Sequence, residues 1–287
     1  LDRILEGSML EDAYDPKSRE HIKKGTFPTE AAVVSEMESV ARVFEKHGVT
    51  VYRPEVITGL NQIFARDIAF VIEDYFFKSN ILPDRMPELQ AIEGVIDEID
   101  PSKVITPPEE VHVEGGDVML HGDHLFVGTY YGDDYPEYIT ARTNPEGVEY
   151  LQAFFPDKKV KGFDLSKSNI VAEDNALHLD CCFQPVGSNK AIIHKEGFRN
   201  VEDYQYLVDL FGFENLFHIT KREMYDMMSN VFSISPEVVV SEKGFTRLNN
   251  WLRVQGIQVE EVPYSEIAKM EGLLRCSTLP LKDHMYS

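Results

Sequence analysis

The stretch 114–128, EGGDVMLHGDHLFVG, carries the pattern that decides the fold. Two strand-like runs, VML and HLFVG, are separated by His121, Gly122 and Asp123, which is typical of two antiparallel strands joined by a tight turn. A polar segment with Glu114 and two glycines comes directly before the first run. The stretch therefore predicts a β-hairpin with a carboxylate at its start.

The same arrangement recurs along the chain, each time preceded by an amphipathic helix and a short strand. Five such units, at intervals of roughly 40–60 residues, are typical of a repeated supersecondary module. The predicted helices lie at 29–47, 86–99, from 145, 201–211 and 245–254, and the strands that follow them at 49–52, 103–106, 160–163, 216–219 and 257–262.

Each unit places a polar or reactive residue 8 to 15 residues after the end of its strand. These residues are Asp67, Glu114, His178, Asn230 and Cys276. If the five units close into a ring, the five side chains meet near its axis. We therefore predict one α/β domain over residues 1–287. The alternative is an ordinary α/β sheet whose polar loop residues never converge.

The composition limits the partners. The 287 residues include 28 basic and 49 acidic ones, a net charge of −21, so nucleic acid and anionic membrane surfaces are unfavourable partners. The acidity serves either solubility or the attraction of a cationic substrate. No apolar run approaches the length of a membrane span.

The cysteines indicate the compartment. Cys181, Cys182 and Cys276 do not form a disulfide framework, which favours a reducing environment. The opening segment LDRILEGSM lacks the apolar block of a signal peptide. We therefore expect a cytoplasmic protein.

A metal site is not expected. His112, His121, Asp123 and His124 are close in sequence, but they belong to a strand–turn–strand stretch without the ligand spacing of a zinc site.

Cys276 lies in EGLLRCSTLPL, a strand-like apolar run interrupted by Arg275. The thiol is either a small buried hydrophobe or a nucleophile. A nucleophile needs a base and a group that orients the base. His178 is a candidate acid/base, since histidine titrates near neutrality, and Glu114 a candidate orienting carboxylate. Taken singly, His178 also fits a packed strand histidine, and Glu114 a turn residue.

Two further carboxylates suggest a cationic ligand. Asp180 lies two residues after His178, so the two side chains would share one face of a strand. Asp67 leads into an apolar strand, where its neighbour Arg66 would point the other way. Asp67 and Asp180 would bracket a planar guanidinium with bidentate hydrogen bonds. Arg142 is either an anchor for a substrate carboxylate or a solvated surface arginine.

Five motifs occur in one order that resembles a known family. They are FARD at 64–67, EGGDV at 114–118, ARTN at 141–144, HLD at 178–180 and GLLRCSTLPL at 272–281. Together they resemble the signatures of the guanidino-group-modifying enzymes, which include arginine deiminases, dimethylarginine dimethylaminohydrolases and arginine:glycine amidinotransferases. The resemblance implies a five-bladed α/β propeller of pseudo-fivefold symmetry, the pentein fold.

The resemblance also implies roles for the site residues. Cys276 resembles the nucleophile, His178 its acid/base and Glu114 the partner of the histidine. Asp67 and Asp180 resemble the guanidinium clamp, while Asn61 and Arg142 resemble residues at the amino-acid end of the substrate.

The expected reaction is hydrolysis of the guanidino group of arginine or an arginine derivative through a covalent amidino-thioether, which gives a ureido product such as citrulline. No metal or organic cofactor is expected, and a homodimer is left open. The first alternative is transfer of the amidino group to an amine such as glycine, because HLD also resembles the HID of amidinotransferases. The second is a catalytically silent protein that binds an arginine-like ligand.

Overall fold

The computed structural model describes residue 13 and residues 15–282. The opening segment LDRILEGSM, with the expectation that it is no signal peptide, lies outside the described residues. The described helices are α1 (Pro16–Lys24), α2 (Glu30–Lys46), α3 (Ala65–Ile68), α4 (Glu93–Ile96), α5 (Pro145–Phe154), α6 (Val201–Phe211), α7 (Lys221–Tyr225) and α8 (Thr246–Val254).

Twelve described strands form four three-stranded sheets of the same order. The sheets are β1 (Ala69–Ile72), β2 (Tyr75–Lys78) and β3 (Val104–Ile105); β4 (Val118–His121), β5 (His124–Thr129) and β6 (Lys159–Asp164); β7 (Phe183–Val186), β8 (Lys190–Ile193) and β9 (Leu216–His218); and β10 (Phe232–Ser235), β11 (Val238–Glu242) and β12 (Gln258–Val262).

In each sheet the first two strands form an antiparallel hairpin and the third runs parallel to the second. A parallel neighbour requires a crossover, and a helical segment supplies it in every sheet. At the β4–β5 turn, Gly122 takes a positive φ of 58°, which the tight turn requires. The repeated α/β unit predicted from the sequence is therefore confirmed in four copies.

The first and the fifth predicted units differ from their predictions. The first contains α2, but its expected strand at 49–52 has no regular structure, and Val49 and Tyr52 are exposed. The stretch around Cys276 is a turn rather than a strand. Its backbone N–H groups bond a side chain instead of a neighbouring strand, as described below.

The helix expected at 86–99 is also irregular. A 3-10 segment at Pro83–Ile92 leads into the single turn of α4. Pro87 is only the second residue of the expected helix, a position where proline is tolerated, so it does not account for the irregular conformation of the residues that follow.

The largest core joins the second, third and fourth sheets. Phe126 lies near its centre, with ring centroids 5.7 Å from Phe163 and 5.8 Å from Phe183. Phe183 in turn lies 5.8 Å from Phe211 of α6. Such tilted and edge-on aromatic contacts add to the free energy gained by burial. This core therefore holds together the three sheets that are preceded by Glu114, His178 and Asn230.

No helix in the described part of the chain is long and apolar enough to cross a membrane. The expectations of one domain over residues 1–287, of a cytoplasmic location and of a possible homodimer stay predictions.

Phe183→Ala removes a fully buried ring from this core. We expect the free energy of unfolding to fall by about 3–5 kcal/mol, because the lost burial is compounded by a cavity. Urea denaturation followed by circular dichroism measures the change. Phe213→Ala is the matched control: its side chain is 64% exposed, and we expect a change below about 1 kcal/mol. Equal losses in the two variants would contradict this account of the core.

Candidate active site

Four candidate residues lie directly before the first strand of a sheet. Asp67 belongs to α3 and precedes β1, Glu114 precedes β4, His178 precedes β7 and Asn230 precedes β10. Cys276 follows β12, the last strand of the fourth sheet. The hydrogen bonds and close contacts described below connect these five positions, so the convergence expected from the repeat is found.

Glu114 holds two cationic partners. Its Oε2 atom lies 2.7 Å from Nε2 of His178 and 3.3 Å from Nη1 of Arg142. All three side chains are at most 2% exposed. Thr143 accepts a hydrogen bond from the backbone N–H of Glu114, and Asn144 caps α5. The ARTN and EGGDV motifs are therefore parts of one buried network.

Asp67 has an internal partner that the sequence did not indicate. Nη1 of Arg85 donates to its Oδ2 atom at 2.7 Å, and the same guanidinium bonds both carboxylate oxygens of Glu88. Oδ2 of Asp67 is therefore shared with an internal arginine, and the clamp role of Asp67 toward a guanidinium stays a prediction. Asp67 lies in the single turn of α3, directly before β1. Arg66 bonds the carbonyl of Arg275, in line with the expectation that it does not neutralise Asp67.

Three buried polar atoms around Asp67, Glu114 and His178 have no hydrogen-bond partner among the described residues. They are Oδ1 of Asp67, Oε1 of Glu114 and Nδ1 of His178. Nδ1 of His178 lies 3.8 Å from Oδ1 of Asp67, beyond hydrogen-bond distance. Buried polar groups are normally bonded, so each such group calls for an explanation. Two acceptor oxygens without donors fit a ligand that carries N–H groups and positive charge.

Cys276 lies beside a carboxylate and an amide. Its Sγ atom is 3.7 Å from both oxygens of Asp180 and 3.1 Å from Nδ2 of Asn230. Burial raises the pKa of the Cys276 thiol well above its ordinary value, and the charges of Asp180 and Asp67 add to the rise. These surroundings therefore favour the protonated thiol over the thiolate.

Arg275 connects the loop of Cys276 to the EGGDV motif. Its Nη1 atom donates to Oδ2 of Asp180 at 2.8 Å, and Nη2 donates to the carbonyl of Val118 at 2.6 Å. Asp180 thus has one oxygen engaged by an arginine of the chain itself. A bidentate hold on a ligand by Asp67 and Asp180 would share these oxygens with Arg85 and Arg275, and it stays a prediction.

His178 and Asp180 do not share a strand face as predicted. His178 is extended and directly precedes the 3-10 segment Leu179–Cys181, which contains Asp180. The change of backbone conformation sends the two side chains to different partners, Glu114 and Arg275. The HLD motif therefore contributes His178 to the network of Glu114 and Asp180 to the contacts around Cys276.

Gly116 is needed for this packing. A Cβ atom at this position would lie 2.7 Å from Cγ of His178 and 2.8 Å from its Nδ1 atom. The second glycine of EGGDV thus allows the backbone to lie directly against the imidazole.

Neighbouring charged groups set the protonation states of His178 and Glu114. Burial by itself lowers the pKa of His178, but the negative charges of Asp67, Asp117 and Glu114 outweigh it and raise the pKa above its ordinary value. Burial raises the pKa of Glu114, yet Arg142 and His178 reverse this and lower it to about 2. His178 therefore favours the protonated state and Glu114 the ionised one.

The two residues assigned to the amino-acid end differ in burial. Arg142 is 2% exposed, so it is not a solvated surface arginine; its Nε atom donates to the carbonyl of Ile139. Asn61 is exposed and accepts a hydrogen bond from the backbone N–H of Ile63. Their roles toward a substrate stay predictions.

Sequence reasoning missed Arg85 and Arg275 and gave Asn230 no role. Arg275 had a signal, because an arginine inside an apolar run needs a buried acceptor. Arg85 had no such signal, since it lies 18 positions from its partner Asp67 and outside the five motifs.

The histidines outside the site have other partners. His112 lies 2.8 Å from Asp134, and His124 lies 2.8 Å from Asp123.

Among the described residues, Asp67, Glu114 and His178 place ligand-type atoms within 4.8 Å of one another. A metal ion there would compete with the hydrogen bond that His178 makes to Glu114.

The sequence of this chain is similar to a protein-family model and to curated proteins. The protein-family model described as "Arginine deiminase" matches residues 212–282. An uncharacterised protein of Bacillus subtilis, YkgA, is 28% identical over 245 residues, which cover 84% of this chain and 77% of YkgA. The dimethylarginine dimethylaminohydrolase of Pseudomonas aeruginosa is 26% identical over 195 residues, covering 68% of this chain and 66% of the enzyme.

The fold is shared with solved structures. The N-terminal domain of ArgZ, described as a cyanobacterial arginine dihydrolase, superimposes with a TM-score of 0.74 at 17% identity, over 89% of this chain and 88% of that domain. Together with the four repeated sheets, this match confirms the predicted fold class, an α/β propeller of the pentein type.

Glu114→Gln tests the electrostatics of the site. The substitution removes a negative charge that raises the pKa of His178, so we expect this pKa to fall by about one unit or more. Titration of the His178 ring resonance by NMR measures it. Glu214→Gln, the same change at an exposed loop position, is the control and leaves the titration unchanged. A pKa that stays constant or rises in Glu114→Gln would refute the assignment.

Proposed function

Because this chain belongs to the guanidino-group-modifying (pentein) superfamily, we propose that it hydrolyses the guanidino group of arginine or an arginine derivative. The proposed nucleophile is Cys276, and the product is a ureido compound such as citrulline.

Two buried carboxylate oxygens that receive no hydrogen bond from the described residues give this proposal its strongest support. Oδ1 of Asp67 and Oε1 of Glu114 have no hydrogen-bond partner in the part of the chain that the structure describes, although both side chains are at most 3% exposed. A guanidinium is planar, positively charged and rich in N–H donors, so it suits such acceptors. The net charge of −21 favours the approach of a cation.

The proposed clamp differs from the one expected from the sequence. Asp67 offers one oxygen, because Arg85 holds the other. Asp180 faces the sulfur of Cys276 and is likewise half engaged, by Arg275. Each carboxylate is thus fixed in orientation by an internal arginine before a ligand arrives, which reduces the reorganisation needed on binding.

The first half of the reaction forms a thioether. The positive charge of the bound guanidinium lowers the pKa of the Cys276 thiol, which loses its proton to solvent. The thiolate attacks the central guanidino carbon. Protonated His178 gives its proton to the departing amine, and the C–N bond breaks to leave a covalent amidino-thioether.

The second half consumes water. Neutral His178 takes one proton from water, which attacks the same carbon to give a tetrahedral intermediate. The C–S bond then breaks, the thiolate leaves, and the second water proton passes to solvent as the ureido product is released. Glu114 keeps His178 oriented throughout, since it bonds the Nε2 atom at 2.7 Å. The proposal requires no metal or organic cofactor, because the clamp and the acid/base pair handle the charges.

The relatives support this chemistry. One is named a dimethylarginine dimethylaminohydrolase, and the ArgZ domain is described as an arginine dihydrolase bound to its substrate after replacement of a cysteine by serine. Arginine and methylated arginines are accordingly the first substrates to test. If an amine enters in place of water, the same residues would perform amidino transfer.

A substrate panel on wild type and Cys276→Ala tests the proposal. The panel holds arginine, methylated arginines, agmatine, and arginine with glycine, and ureido product, ornithine and released amine are quantified. We expect one guanidino compound to be hydrolysed by wild type and a loss of at least about 10³-fold in Cys276→Ala, which lacks the nucleophile. Cys182→Ala, the same change at another buried cysteine, retains turnover.

The outcomes separate the alternatives. Turnover that survives in Cys276→Ala would refute the mechanism. Ornithine formed faster with glycine than citrulline formed from arginine alone would identify an amidinotransferase. No turnover, combined with no protection of Cys276 from alkylation by any guanidino compound, would overturn the proposed function.

A further inference from the structure

Asn230 occupies the same place in the fourth sheet that Asp67, Glu114 and His178 occupy in the first three. It directly precedes β10 and is fully buried. Unlike its three counterparts, its side chain does not titrate. The repeat therefore delivers a neutral amide to the site, and the proposed reaction leaves this amide without a task.

The amide oxygen organises the loop of the nucleophile. Oδ1 of Asn230 accepts hydrogen bonds from the backbone N–H groups of Leu273 at 3.2 Å, Arg275 at 3.0 Å and Cys276 at 3.1 Å. Three N–H groups within four residues converge on one atom. This convergence explains why the stretch forms a turn and not the predicted strand.

The same contacts fix which way the amide faces. An oxygen must receive the three N–H groups, because an NH₂ group in its place would oppose three donors. Nδ2 therefore faces the other side, 3.1 Å from Sγ of Cys276 and 3.5 Å from the carbonyl of Asp180. The backbone carbonyl of Asn230 also accepts from the N–H of Arg275, which holds the two loops together.

We propose that Asn230 is a positioning residue for the nucleophile: its oxygen holds the Cys276 loop in place, and its NH₂ group donates to the sulfur and stabilises the thiolate. The role of Asn230 in turnover rests on the proposed function, whereas its effect on the thiol of Cys276 does not.

The chemistry favours an amide over any other side chain of this size. Asp180 and Asp67 both place negative charge near the sulfur and disfavour the thiolate. A carboxylate at position 230 would accept the three N–H groups equally well but would add a third negative charge. An amide supplies the acceptor on one side and a neutral donor on the other.

Asn230→Asp separates these two tasks. It keeps an acceptor for the three N–H groups and replaces the donor to sulfur by an oxygen. The measurement is the rate of Cys276 alkylation by iodoacetamide between about pH 6 and pH 10, with the modified peptide identified by mass spectrometry. We expect the rate to fall roughly tenfold at each pH below the midpoint, which corresponds to an upward shift of the profile by about one pH unit.

Two further variants guard against a merely structural effect. Asn249→Asp makes the same change at a fully buried asparagine of α8, and we expect the wild-type alkylation rate at each pH. Asn230→Ala removes both tasks, and we expect it to lower the thermal unfolding midpoint more than Asn230→Asp does. A wild-type alkylation profile in Asn230→Asp, or a shift of equal size in Asn249→Asp, would overturn the proposal.

The test is independent of the substrate. Iodoacetamide reacts with a thiolate whether or not the protein acts on guanidino compounds, so a failed substrate panel leaves this result interpretable. Where a hydrolysed substrate is found, kcat in Asn230→Asp falls about tenfold while KM changes less than about twofold, because the amide faces the sulfur.

Discussion

The buried carboxylate of Glu114 is the interaction on which the rest of the site depends. It has no exposure to solvent, yet it stays ionised because His178 and Arg142 donate to one of its oxygens. A buried charge without partners would cost several kcal/mol, so the three loops that carry these groups are held together. The four sheets serve this requirement, since each presents one side chain at the start of its hairpin.

Two arginines extend the same principle to the remaining carboxylates. Arg85 engages one oxygen of Asp67, and Arg275 engages one oxygen of Asp180. Each carboxylate is thereby fixed while one oxygen still faces the cluster. Oδ1 of Asp67 and Oε1 of Glu114 accept no hydrogen bond from the described residues, and burial raises the pKa of the Cys276 thiol. A bound cation would donate to these oxygens and would favour the thiolate. In the proposed function the substrate is that cation, and its arrival is what activates Cys276.

Much of the fold follows from local patterns. The hairpin at 114–128 was predictable because apolar alternation and a Gly122 turn are local properties of the chain. The same holds for α5, where Asn144 and Pro145 mark the first turn. The errors have a different origin. The helix expected at 86–99 is largely a 3-10 segment although its apolar spacing looked regular, and the residues Val49 and Tyr52 of the expected strand at 49–52 are exposed.

The sequence by itself determined the repeat, the order of the five motifs and therefore the identity of the candidate residues Cys276, His178, Glu114, Asp67 and Asp180. The tertiary structure alone decided how these residues pair. Asp67 meets Arg85, Asp180 meets Arg275, and Asn230 binds the loop of Cys276. Hydrophobic periodicity and turn residues are encoded within a few positions of each other, whereas a buried charge takes whichever partner the closed fold brings near. That choice is made between loops of different sheets, and no spacing along the chain records it.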